Sequence, residues 1–231
     1  MNILLEAFQQ SFHLVFNFDK DLFEILFLSL RVSLVSLLLS CLIGLPLGTI
    51  LAIKNFWFRD SILIIFNTMM GLPPVVVGLI VYIIISRSGP LGWMGILYTP
   101  TAMIIAQMIL IIPIIVSLSA QIIEEIQLEY KNLFKSLVIS SQDAVKAYLF
   151  DARYSILTVM LAGFGRAISE VGAVIIVGGN IDHLTRVMTT SIALETSKGN
   201  LSLALALGII LLLIALTVNF LLIRLKITAK R

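Results

Sequence analysis

An arginine and a glutamate inside an apolar run are the residues best able to do chemistry in this chain. Arg166 and Glu170 stand four residues apart in the run from Tyr154 to Val177, so a helix would place them on one face. An ionisable side chain at membrane depth is costly enough to indicate a function, and each charge offsets the burial cost of the other. The alternative is a structural ion pair that locks helices together.

Metal, nucleotide and nucleic-acid chemistry have little support. His13 and His183 are far apart in the sequence and Cys41 is the only cysteine, so no set of ligands has the spacing of a metal site. The pattern GxxxxGK(S/T) does not occur, so the chain is not predicted to hold nucleotide phosphates. The net charge of +3 comes from basic residues in short loops and at the C-terminus, which does not favour nucleic acid. We expect no catalytic residue, no metal and no cofactor on this chain.

The composition places these residues in a membrane. Hydrophobic residues make up 59% of the chain, charged residues make up 13%, and the mean hydropathy is +1.08. Soluble domains have roughly 45–50% apolar and about 25% charged residues. The chain is therefore predicted to be an all-α integral membrane protein.

Five apolar runs are long enough to cross a bilayer, which takes about 20 residues. They cover residues 22–53, 61–85, 99–123, 154–177 and 201–223, and a polar segment, 124–153, separates the third from the fourth. We treat residues 1–231 as one transmembrane domain with about five helices.

The second run carries a strong helix-breaking signal. Pro73 and Pro74 follow Gly71 and Leu72, and two prolines remove two backbone donors and disfavour helical geometry just before them. Irregular backbone inside a membrane persists only where protein covers it or a watery path adjoins it. The segment from Gly71 to Gly78 is thus a candidate wall of a translocation path, and a simple packing kink is the alternative. The candidate path and gate residues are Gly71, Pro73, Pro74, Gly78, Arg166, Ser169 and Glu170.

Two other features of the runs predict packing. Ser36, Ser40, Gly44 and Gly48 recur at every fourth residue, which gives a strip of small side chains that lets another helix approach closely. Gln107 is a lone amide in the third run. Such an amide is predicted to bond a neighbouring helix rather than a substrate.

The polar segment predicts two short amphipathic helices. Apolar residues from Glu124 to Val138 recur at spacings of three and four and form one stripe. Ser140 followed by Asp143 resembles the capping box that starts a second helix. The stripe consists of Ile126, Tyr130, Leu133, Phe134 and Leu137, and Ala144 continues it on the second helix. Acidic residues outnumber basic ones on the polar side, so docking on a protein is favoured over lying on lipid.

Loop charges predict the orientation. One side holds ten basic residues: Lys54, Arg59, Lys131, Lys135, Lys146, Arg153, Arg224, Lys226, Lys230 and Arg231. The other side holds four: Lys20, Arg87, Arg186 and Lys198. The positive-inside rule therefore places the N-terminus outside, and the C-terminus and the polar segment in the cytoplasm. The segment 180–200 is predicted to be an external loop.

Several stretches resemble the permease subunits of ATP-binding-cassette (ABC) importers of the molybdate, sulfate and tungstate type. They are MGLPPVVVGL at Met70–Leu79, AQMILIIP at Ala106–Pro113 and GFGRAISEVGAVIIVGGNI at Gly163–Ile181. The last looks closest to tungstate permeases. The resemblance implies a type I importer fold in the cell (inner) membrane, in contact with lipid, and a homodimer docked on two cytoplasmic ATPase subunits that use ATP. It also implies an extracytoplasmic oxyanion-binding protein as a partner.

The polar segment occupies the place of the coupling loop of that family, which carries a Glu-Ala-Ala pattern. That pattern falls on Asn132, Leu133 and Phe134, and Val138 stands where the family has glycine. Valine disfavours the positive φ that glycine permits, and Ser140 and Ser141 are the alternative source of the turn. The candidate coupling residues are Leu133, Phe134, Leu137, Val138, Ser140, Ser141, Asp143 and Ala144.

Three other functions remain open on the sequence. One is a molybdate or sulfate permease of the same type. Another is an ion-coupled secondary transporter that uses the Arg166/Glu170 pair and the double-proline break as its site. The third is a membrane anchor without a path of its own.

Overall fold

A computed structural model of the chain describes residues 20–137 and 141–230, together with Leu5, Glu6, Gln9 and His13. These residues form helices and connecting turns, with no strand among them. The helices from residue 20 onward are α1 (Lys20–Ile53), α2 (Arg59–Met69), α3 (Pro74–Ile85), α4 (Pro100–Ser136), α5 (Ser141–Ile168), α6 (Gly172–Gly178), α7 (Met188–Ser197) and α8 (Leu201–Lys230). A 3-10 turn, Gly92–Met94, lies between α3 and α4.

Within the described part of the chain, three helices are long and apolar enough to cross a membrane by themselves. These are α1, the part of α4 from Pro100 to Tyr130, and the part of α8 from Leu201 to Leu221. Two bent pairs, α2 with α3 and α5 with α6, pass the same test, so the number is five if each pair is one span. The all-helical membrane architecture predicted from the composition is confirmed.

The prediction of two short helices between the third and fourth runs was wrong. The α4 helix continues from the apolar run through the polar residues to Ser136, and α5 begins at Ser141 and runs on into the fourth run. Neither glycine nor proline occurs from Glu124 to Ser136, so nothing in that stretch interrupts the hydrogen bonding of α4. The polar hairpin, which we define as residues 124–153, is therefore built from the ends of two long helices.

The prediction of one continuous helix from Tyr154 to Val177 was also wrong. The α5 helix ends at Ile168, and α6 begins at Gly172 after a bend of 55°. At the end of α6, Gly179 adopts a left-handed φ of +72° and its N–H donates to the carbonyl of Ile175. Glycine suits this position because it has no Cβ to clash at positive φ.

The segment 180–200, predicted as a loop, contains α7. The first four residues of this helix, Met188 to Ser191, are buried. The Met188 N–H donates to Ser29 Oγ of α1 at 2.8 Å. This part of the chain thus packs into the helical bundle.

The small-residue strip on α1 is the seam against α4, as predicted. Ser36 and Ser40 have no exposed surface. A Cβ added at Gly44 would lie 2.8 Å from Ile115 Cγ2, and one at Gly48 would lie 2.7 Å from the Val116 carbonyl oxygen and overlap Ser119 Oγ. The α1 and α4 backbones approach closely because both positions lack a side chain.

Substitution of Gly48 tests the seam. We expect Gly48→Val to lower stability by about 1–3 kcal/mol, the usual cost of overpacking a tight contact. The measurement is the unfolding midpoint of the purified protein in detergent. Gly208→Val in α8 is the matched control, because a Cβ there meets nothing within 4 Å. Equal midpoints for the two variants would contradict the tight seam.

Candidate functional site

Two helix breaks define the centre of the candidate site. The α2 and α3 helices meet at 103°, as the double proline predicts: Pro73 is extended, with φ −64° and ψ 122°, and Pro74 is the first residue of α3. The second break separates α5 from α6 by three residues, Ser169 to Val171. Both short helices that follow the breaks, α3 and α6, pack on the same side of α4 around Met103 and Ala106.

Glycine allows the two short helices to touch. A Cβ added at Gly78 of α3 would lie 2.8 Å from Ala173 Cα, and one added at Gly172 of α6 would lie 2.8 Å from Val75 Cγ2. The first residues of α3 and α6 are therefore in contact. We define Val75, Gly78, Arg166, Glu170, Gly172 and Ala173 as the break cluster.

Glu170 lies in the second break and its carboxylate is held from two sides. Arg166 Nη1 donates to Glu170 Oε2 at 2.5 Å, and the Ala173 N–H donates to Glu170 Oε1 at 3.0 Å. The Glu170 side chain is 2% exposed and that of Arg166 is 26% exposed. The carboxylate thus pairs with a cation and satisfies one of the free N–H groups in the first turn of α6. The predicted pairing is confirmed.

A polar network extends from Glu170 to three further helices. Thr189 Oγ1 of α7 donates to the Glu170 carbonyl at 2.8 Å. Gln107 of α4 donates from Nε2 to the Ala167 carbonyl at 3.1 Å and accepts at Oε1 from Ser36 Oγ of α1 at 2.7 Å. Gln107 is 3% exposed, so it bonds neighbouring helices, as predicted.

The predicted path and gate residues fall into three groups by exposure. Gly78 and Glu170 are buried, while Pro74 and Arg166 are half-buried. Gly71, Pro73 and Ser169 are exposed. Ser169 Oγ donates to the Gly165 carbonyl at 2.8 Å, so its hydroxyl bonds its own helix.

Two residues that sequence analysis missed border this region. Ser29 and Ser33 border a small polar cavity shared with Gln107 and Glu170. Their spacing of four residues was the available signal, since it continues the small-residue strip toward the start of α1.

The polar hairpin is held together by an aromatic stack. Phe134 of α4 lies between Tyr130 and Tyr148, with ring centroids 5.4 Å and 5.3 Å away. Ala144 packs against the same apolar cluster. Leu133 and Leu137 are 49% and 61% exposed, so part of the predicted stripe faces inward and part faces outward.

Arg59, which sequence analysis used only for orientation, anchors the base of the hairpin. Its Nε donates to the Leu51 carbonyl at the end of α1 at 2.7 Å, and its Nη2 donates to Glu124 Oε1 of α4 at 2.9 Å. It also pairs with Asp60. One guanidinium thus joins the end of α1 and the start of α2 to the hairpin.

The remaining coupling residues are described only in part. Val138 and Ser140 lie outside the described residues. Ser141 begins α5, although its side chain is not described. Asp143 is exposed and Lys146 lies 3.8 Å from it.

The structure brings together three metal-ligating side chains that are far apart in the sequence. Ligand atoms of Asp21, Glu24 and His183 lie within 4.8 Å of one another, and all three residues are exposed. His183 Nδ1 lies 2.9 Å from Glu24 Oε2. That hydrogen bond, together with the negative charges of Glu24 and Asp182, raises the pKa of His183. The contact therefore stabilises the fold below the usual pKa of histidine, and this contribution is lost as the pH rises through the raised value.

Comparison with known proteins places the chain in a family. A family model for the inner membrane component of binding-protein-dependent transport systems matches residues 44–226. The chain belongs to this family.

Three relatives are similar along most of their length. The tungstate uptake system permease protein of Peptoclostridium acidaminophilum is 38% identical over 95% of this chain and 96% of its own. The corresponding protein of Campylobacter jejuni is 38% identical over 98% and 95%. A probable anion ABC transporter permease protein of Haloferax volcanii is 42% identical over 83% and 84%.

Family membership decides two of the three functions that the sequence left open. The permease is a multi-pass protein of the inner membrane with the type I importer fold, so the secondary-transporter and anchor hypotheses are set aside. Permease subunits of this family are not themselves enzymes, and they work with an ATPase and a binding protein. The break cluster and the polar hairpin are thus two parts of one transport subunit.

Removal of one charge tests the ion pair. We expect Glu170→Gln to destabilise the permease by about 3 kcal/mol, because it leaves the Arg166 charge without its partner. The double variant Arg166→Met with Glu170→Gln is expected to recover most of that loss. Ser169→Ala is the control, since Ser169 bonds only its own helix among the described residues. Unfolding midpoints in detergent measure all three, and equal losses in the single and double variants would contradict the pairing.

Proposed function

We propose that this permease is the membrane-spanning subunit of a tungstate importer. The observation that carries the proposal is 38% identity to two tungstate uptake permeases over nearly the whole chain. The chain itself binds no nucleotide or metal in this scheme, and ATP is used by the partner ATPase. Molybdate and sulfate are the competing substrates, and an uptake measurement separates them.

In this proposal the translocation path runs beside the break cluster. Irregular backbone at membrane depth needs protein cover or a watery neighbour, and Gly71 and Pro73 at the first break are exposed in the single chain. Arg166 and Glu170 support the gate by fixing the second break, rather than by binding the anion tightly. The support for this role is that the Glu170 carboxylate already has two partners.

A homodimer completes the path in this proposal. The α3 helix exposes an apolar face with Val75, Leu79 and Ile83 each more than half exposed. A second copy related by a twofold axis would cover such faces and place the path on the axis. The mass of the purified importer, with two permease chains expected per complex, tests this stoichiometry.

The polar hairpin is the proposed docking element for the ATPase on the cytoplasmic side. Ten of the Lys and Arg residues outside the apolar runs favour that orientation, against four on the other side. Leu133 and Leu137 present apolar surface near the end of α4. Phe134 holds the hairpin together from inside. Because α5 is continuous from Ser141 to Ile168, a push on the hairpin would be transmitted along that helix to Arg166, as in rigid-body switching between outward-open and inward-open states.

A charge at the exposed tip of the hairpin tests coupling. We expect Leu137→Asp to reduce the stimulation of ATP hydrolysis at least tenfold, because a carboxylate forced into an apolar contact costs roughly 2 kcal/mol or more. The measurement is ATP hydrolysis by the reconstituted importer with and without loaded binding protein. Stimulation by the loaded binding protein should be lost while the permease remains inserted.

The control for this prediction is Leu128→Asp. Leu128 is 67% exposed on the same helix, nine residues before Leu137, and is expected to retain stimulation. Normal stimulation of the Leu137→Asp importer would reject the docking role.

A Leu137→Cys variant in a Cys41→Ser background tests the orientation, because an impermeant thiol reagent should label it only in inverted vesicles.

Uptake of competing oxyanions tests the substrate. We expect vesicles that contain the permease, its ATPase and its binding protein to take up tungstate in preference to molybdate and sulfate, and only with ATP. Vesicles with a hydrolysis-defective ATPase are the control. A preference for molybdate or sulfate would reassign the substrate, and uptake without ATP would contradict the importer.

A further inference from the structure

A cavity of about 250 Å³ lies where α1, α7 and α8 come together near the starts of α1 and α8. Its polar wall carries a positive charge from Arg186 and negative charges from Asp21 and Glu195. Its apolar wall includes Leu22 and Leu207. A cavity with polar and aliphatic walls at the end of membrane helices is suited to an amphipathic ligand at the membrane interface.

Two buried polar groups on this wall lack partners among the described residues. Ser191 is 3% exposed, and neither its Oγ nor Arg186 Nε has a hydrogen-bond partner there. The Arg186 Nη1 group pairs with Asp182 at 2.7 Å, which leaves other guanidinium donors for a ligand. Buried polar groups without partners are costly, so a ligand with acceptor oxygens would stabilise this wall.

An apolar groove continues from the cavity between α1 and α8. The groove has a volume of about 330 Å³, and Leu22 borders both spaces. Along α8 it extends from Ile210 to Val218, which is about 12 Å at the helical rise of 1.5 Å per residue. Leu213 in its wall is 58% exposed. The groove thus has the length and the chemistry to hold part of an acyl chain.

We propose that this cavity and groove bind one phospholipid with a zwitterionic aminoethyl headgroup, such as phosphatidylethanolamine. Its phosphate oxygens accept from Arg186 and Ser191, and its ammonium group lies toward Asp21, because the Glu195 carboxylate already accepts from Lys198 and Asn200. One acyl chain lies in the groove. A headgroup with only negative charge would meet the Asp21 carboxylate, and a quaternary ammonium has no N–H to donate to it. The site is separate from the break cluster, so this inference does not depend on the identity of the transported anion.

Native mass spectrometry of the assembled importer tests headgroup preference. The complex is purified from nanodiscs with equal amounts of phosphatidylethanolamine, phosphatidylglycerol and phosphatidylcholine, and the retained lipids are counted. We expect phosphatidylethanolamine to be retained in excess. Arg186→Gln should reduce its retention roughly tenfold, the effect of losing one charge-assisted hydrogen bond. Arg87→Gln is the matched control, because Arg87 is an exposed arginine that borders a different cavity.

A second measurement keeps the proposal testable if Arg186→Gln does not fold. In a background with Trp57→Phe and Trp93→Phe, tryptophan placed at Leu213 in the groove should be quenched more by brominated phosphatidylethanolamine than by the same fraction of brominated phosphatidylcholine. Leu216→Trp is the control, since Leu216 is 65% exposed on α8 and should show no preference. Equal retention of all three lipids would overturn the proposal. Equal quenching of the Leu213 tryptophan by the two brominated lipids, as expected at Leu216, would also overturn it. So would quenching at Leu213 by none of them, which would indicate that a second copy of the chain covers the groove.

Discussion

The buried carboxylate of Glu170 is the constraint on which the rest of the structure depends. A charge in apolar surroundings is stable only when it is paired and hydrogen-bonded. Here the cation comes from the last turn of α5 and the N–H comes from the first turn of α6. The Glu170 carbonyl also accepts from α7. One residue in a three-residue break therefore fixes three helices relative to one another.

Two long helices connect Glu170 and its hydrogen-bond partners to the polar hairpin. The α4 helix contains both Gln107, which hydrogen-bonds the residue next to Arg166, and Phe134, which lies in the aromatic stack. The α5 helix contains both Tyr148 and Arg166. Arg59 ties the base of the hairpin to α1 and α2. The ends of these two helices thus connect the hairpin with the break cluster in the described part of the chain.

Local signals in the sequence predicted one break and missed the other. Pro73 and Pro74 remove backbone donors, so the α2–α3 break follows from residue types alone. The α5–α6 break contains no proline. There the Glu170 side chain accepts from the Ala173 N–H in place of a helical carbonyl. The prediction for the polar hairpin was wrong in the opposite sense, because it placed helix ends where the helices are continuous. Apolar residues at spacings of three and four, and the capping-box pattern of Ser140 and Asp143, predicted separate amphipathic helices, whereas α4 and α5 continue from the apolar runs through these residues.

The sequence alone determined the class, the apolar runs, the first break, the α1 seam and the pairing of Arg166 with Glu170. Each of these depends on hydropathy or on spacing along one helix, and both can be read from local order. Only the tertiary structure decided that Gly78 meets Ala173, that Gln107 joins three helices, and that Asp21 and Arg186 share one cavity. These contacts link residues distant in the chain, and helix packing rather than local periodicity brings them together.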